Sequence, residues 1–223
     1  MNLKKKPLAD MKNDFIDAVL GRNLAAAKFY VCCGVDPDDV YIEGTRFMVA
    51  VCTAIVSHSA IFSGHYELVT ILLECGASPN KKDAGTSMIK RPLESAVARL
   101  DRRLIEMLIN AGASIVTDLS SDDLPYHFVA IQEYLTKRGT TTWGNTEYLF
   151  DTIELLIENG LNIEDTHQGR TILDLLCSHG HITLAGLVIK KYGAVMTVTP
   201  QEATSDSTRE VVTSIINRIS ALA

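Results

Sequence analysis

Cys177, His179 and His181 alternate in the run LLCSHGH, and thiolate and imidazole are the side chains a zinc ion takes most readily. They fall at the end of one helix and in the turn after it, and no second ligand pair at zinc-finger spacing stands elsewhere in the chain. Paired carboxylates suited to general acid–base work occur twice, as Asp38 with Asp39 and as Asp122 with Asp123. Both pairs sit in expected loops, where solvated charges are ordinary and the closed pocket that perturbs a carboxyl group is missing. The chain has no P-loop, no dinucleotide glycine fingerprint, no GxSxG elbow and no HExxH. The chemistry these residues leave open is a metal- or redox-dependent enzyme using Cys177, His179 and His181. The reading they favour is a chain with no catalytic residues, no metal and no cofactor.

The elements that carry these residues recur. GHYELVTILLECGASPN at 64–80 returns in weaker form as LIEMLINAGAS at 104–114 and IELLIENGLNI at 153–163, each an apolar helical stripe ended by glycine. Aligning the terminal glycines adds KFYVCCGVDP at the start and LVIKKYGAV at the end. The set is Gly34, Gly76, Gly112, Gly160 and Gly193, at intervals of 42, 36, 48 and 33 residues. Periods in this range belong to repeats that cannot bury their own apolar face and must stack on neighbours. A second helix fits upstream of each glycine; in the third unit it reads RPLESAVARL, with proline in the first turn, where no hydrogen bond is lost.

These residues resemble the ankyrin repeat, with its TPLHxAA opening, GHxEVVxLLL second helix and GAxxN exit. Gly64, His65 and Glu67 match the second-helix opening, as do Gly180 and His181; Pro92 and Leu93, Pro125 and His127, and Thr171 with Leu173 match parts of the first. The resemblance runs from about Asn13 to about Ile219 and implies an all-α solenoid of about five helix-turn-helix units with a degenerate C-terminal cap. The expected single domain covers 1–223, with units at about 13–37, 38–80, 81–116, 117–163 and 164–197 and a cap at 198–223. It further implies that His58, His65, His127 and His181 tie helix starts to neighbouring backbone, and the equivalence of Cys33 and Cys75 with Ala111, Asn159 and Tyr192 marks a packing position.

Composition agrees. With 47% hydrophobic residues the 223-residue chain is no disordered polymer, and its net charge of −6 disfavours nucleic acid. Five cysteines, a polar start at 1–12 and no run approaching a membrane span predict a reducing, cytoplasmic setting without a membrane partner.

Departures from a 33-residue period mark the candidate binding surface. Nine extra residues separate the first two units, where DDVYIEGTRFMVAVCTA reads as a lengthened β-hairpin finger. Three more lie in the next finger, KKDAGTSMIKR, which is basic between acidic neighbours; alternating signs suit a protein contact better than a phosphate backbone. Fifteen lie in the fourth unit, where both helices lengthen into a hairpin tipped by Trp143, the chain's one tryptophan. The sequence therefore predicts a protein-protein interaction module, monomeric alone, that occludes or scaffolds a partner, as a neutralising inhibitor of immunity type or a host-directed effector. Tyr41, Glu43, Arg46, Lys82, Arg91 and Asp123 are its expected contacts, with Trp143 as the alternative centre.

Overall fold

The structure, a computed structural model, describes residues 6–42, 49–50, 65–81, 91–115, 125–137, 146–167, 169–178, 182–193 and 213. The described residues are mostly helical. In order they form α1 (Leu8–Leu20), α2 (Leu24–Cys32), a 3-10 turn at Pro37–Asp39, β1 (Tyr41–Ile42), β2 (Val49–Ala50), α3 (His65–Glu74), α4 (Pro92–Ala98), α5 (Arg102–Asn110), α6 (Tyr126–Lys137), α7 (Thr146–Glu158), α8 (Ile172–Ser178) and α9 (Ile182–Tyr192). The chain divides into two compact units, Met1–Ser114 and Ile115–Ala223.

Within the first unit α1 packs on α2 and α4 on α5, and α1 also reaches α3. Within the second, α6 packs on α7 and α8 on α9, and α6 also touches α8. Each pair buries apolar side chains. In α5, Leu104, Ile105 and Leu108 are buried while Arg102, Arg103 and Asn110 stay in water, the period of a half-buried helix. In α3 the buried stripe is Leu68, Val69, Ile71 and Leu72. Removing each such leucine from water stabilises by about 1.5–3 kcal/mol.

The exit glycines end their helices by one mechanism. Gly34, Gly76, Gly112 and Gly160 have φ of +100°, +90°, +91° and +103°, a region that L side chains avoid. In each turn the glycine N–H donates to the carbonyl three residues back, as Gly34 does to Val31 and Gly112 to Ile109. The next N–H donates to the carbonyl five residues back, from Val35 to Tyr30, Ala77 to Leu72, Ala113 to Leu108 and Leu161 to Leu156. These paired bonds form the Schellman cap, whose apolar lock is also present, since Val35, Ala77, Ala113 and Leu161 are all buried. Gly193 shares the positive φ, at +67°.

The same cap closes α1 and α4 without glycine. Arg22 and Leu100 have φ of 56° and 54°, while Asn23 N–H donates to the Ala18 carbonyl and Asp101 N–H to that of Ala96. The cap hydrogen bonds accompany a backbone conformation that costs each of these two residues roughly 1–2 kcal/mol.

The longer helices expected in the fourth unit are observed. α6 has 12 residues and α7 has 13, against 7 and 9 in α4 and α5. The hairpin tip carrying Trp143 and, apart from Thr213, the cap at 198–223 lie outside the described residues. The expected packing role of the Cys33 position needs correction. Cys75 is buried and Tyr192 half-buried, but Cys33, Ala111 and Asn159 are exposed, so the place before the exit glycine is not a packing site in every unit.

Candidate functional site

Among the described residues, loops between helical hairpins are tied to the next repeat through polar groups. Asp36 opens the 3-10 turn, its Oδ1 accepting the Asp38 N–H at 2.9 Å. Asp38 then reaches into the next repeat, where its Oδ1 accepts the Ser78 N–H at 2.9 Å. One repeat further, Asn80 Oδ1 accepts the Ser114 N–H at 2.7 Å and Asn80 Nδ2 donates to the Gly112 carbonyl at 2.9 Å. Asp38 and Asn80 each stand four residues after an exit glycine, and Ser78 and Ser114 each stand two after the following one. The bases of successive loops are therefore tied by the same bond in the same register. Asp39, beside Asp38, pairs with Lys12 at 2.5 Å. That hydrogen bond and charge, with Lys81 adding to them, hold its carboxyl below the usual range.

β1 and β2 frame the first loop, with Tyr41 opposite Ala50 and Ile42 opposite Val49 in an antiparallel pair. Residues 43–48 between them, and so the reach of the expected finger, lie outside the described residues. Of the expected contact residues, the structure describes Tyr41, in β1, and Arg91. Arg91 precedes Pro92 in extended backbone (φ −87°, ψ 157°), its carbonyl accepting the Ser95 N–H at 3.1 Å, and its side chain is half-buried. Glu43, Arg46, Lys82, Asp123 and Trp143 lie outside the described residues.

A further loop was not singled out by sequence. Between α7 and α8, His167 and Arg170 exchange backbone hydrogen bonds of 3.0 and 3.1 Å around Gly169, whose φ is +74°. The His167 ring lies 5.9 Å from that of Phe128 in α6, fixing the loop to its helix, while Arg170 is exposed. The signal was present as HQGRT, a glycine two residues before the threonine that opens the next helix. Thr171 there forms a buried capping pair. Its N–H and Oγ1 donate to Asp174 Oδ2 at 2.8 and 3.0 Å, and the Asp174 N–H donates to Thr171 Oγ1 at 3.3 Å.

On the helices themselves, charged groups are already engaged across repeats. Arg22 pairs with Glu67 at 3.2 Å and Lys28 with Glu74 at 3.0 Å, joining α3 to the first hairpin. Tyr66 Oη donates to the Asp101 carboxylate at 3.2 Å, Arg103 lies 4.3 Å over the Tyr66 ring, and Asp101 Oδ1 caps α5 by accepting the Leu104 N–H at 3.1 Å. Burial, and then Asp101, hold the Tyr66 phenol above its ordinary pKa. His65 was expected to bond to neighbouring backbone; instead its Nε2 faces Asp101 Oδ2 at 3.7 Å and makes no hydrogen bond among the described residues. In the second unit Lys191 of α9 pairs with Glu154 of α7 and lies 5.4 Å over the Phe150 ring.

Cys177 is buried in α8, and burial, then the Asp174 charge, pushes its thiol up to about 11, away from the thiolate that metal binding or nucleophilic attack needs. His179 and His181 lie outside the described residues. No group of three or more His, Cys, Asp or Glu that could hold a metal occurs among the described residues. No helix among them is long and apolar enough to cross a membrane.

The Ankyrin repeat family profile matches residues 57–84, the segment that holds α3, its Schellman cap and Asn80. The crystal structure of the human ASB11 ankyrin repeat domain superposes with a TM-score of 0.55, covering 95% of this chain and 84% of that one at 18% identity. This is an ankyrin-repeat fold. No curated protein matches the chain in sequence. Ankyrin repeats are protein-protein interaction modules, and the loops tied by Asp38 and Asn80 are the inter-repeat loops of that fold.

Proposed function

We propose that this ankyrin-repeat chain binds another protein along its inter-repeat loops and acts by occluding or scaffolding that partner. The observation that carries the reading is the ladder from Asp38 to Ser78 and from Asn80 to Ser114 and Gly112, which fixes the loop bases to the helical frame. Loops on rigid supports bind with little ordering cost, so contact energy is retained as affinity. The helical surfaces supply a contrast. Several of their polar groups are engaged between repeats, Arg22 with Glu67, Lys28 with Glu74, and Tyr66 with Asp101.

In this reading Tyr41, Glu43, Arg46, Lys82, Arg91 and Asp123 supply the partner contacts, and Trp143 is the competing centre. The chain is monomeric alone, resides in the cytoplasm and catalyses nothing. The effect of binding is neutralisation of the partner, as an immunity-type inhibitor or a host-directed effector would achieve. Photo-crosslinking from residues placed at 43, 46, 82 and 143, in cells that contain the partner, tests the surface. Adducts at 43, 46 and 82 support the loop edge; an adduct confined to 143 moves the interface to the fourth-unit hairpin.

A further inference from the structure

We draw no further inference here: the strongest candidate, the exposed apolar edge of the first repeat formed by Leu8 and Leu20 of α1 and Phe29 of α2, carries nothing because none of the described residues shows what covers it.

Discussion

Asn80 holds Ser114 across 34 residues of chain, its Oδ1 2.7 Å from the Ser114 nitrogen, while its Nδ2 donates to the Gly112 carbonyl. One amide side chain thus satisfies a donor and an acceptor just past the end of α5, groups the helix cannot pair internally. Asn80→Ala should lower unfolding free energy by about 0.5–1.5 kcal/mol, the net worth of hydrogen bonds whose exposed partners can turn to water instead. Asn80→Asp should lose the bond to Gly112 and keep the one to Ser114, giving an intermediate loss. Urea titration of the three proteins checks the order; equal midpoints for all three would remove the ladder from the account.

Asp101 joins two repeats by capping α5 and receiving the Tyr66 hydroxyl. Asp101→Ala should cost about 1–2 kcal/mol through the cap alone. Tyr66→Phe should cost about 1 kcal/mol, and the double variant less than the two single losses added together, because both remove the same contact. Additive losses would mean that the hydroxyl and carboxylate do not interact in solution.

The exit glycines give a test free of packing. A Cβ at Gly112 meets nothing within 4 Å, yet φ there is +91°. Gly112→Ala should therefore destabilise by about 1 kcal/mol from backbone strain alone. An unchanged thermal midpoint would show that the cap relaxes freely.

Cys177 supplies a pH dependence. Its thiol titrates near 11 when folded, against an ordinary value of 9.0, so the folded chain holds this proton more tightly. The stability this contributes is fully present below about pH 9 and is lost as pH rises through about 11, because the unfolded chain releases the proton first. Denaturation midpoints measured from pH 8 to 11 should fall more steeply for the parent than for Cys177→Ala; parallel curves would contradict the burial. In alkylation at pH 8, Cys32 and Cys33, which are exposed, should react well before Cys75 and Cys177.

Much of the fold was legible because local chemistry repeats. The five exit glycines could be aligned from sequence, and all five adopt positive φ. The lengths of α6 and α7 followed from Gly139, Gly144 and the apolar stripes around them. The caps at Arg22 and Leu100 were illegible, since neither residue type favours a left-handed turn. The pairing of Asp38 with Ser78 was hidden for another reason. Asp38 beside Asp39 reads as a solvated or catalytic pair until the partner 40 residues away is known. His167 and Arg170 were missed because their turn signal, one glycine, is short and is not repeated in the other units.

Protein binding through the loop edge is tested most directly by calorimetric titration of a partner recovered with the full chain, set against two folded variants. An Arg46→Glu, Lys82→Glu protein should bind at least tenfold more weakly and show a changed salt dependence, while Trp143→Ala should bind like the parent. Full affinity in the charge-reversed protein together with loss of binding in Trp143→Ala would contradict the account.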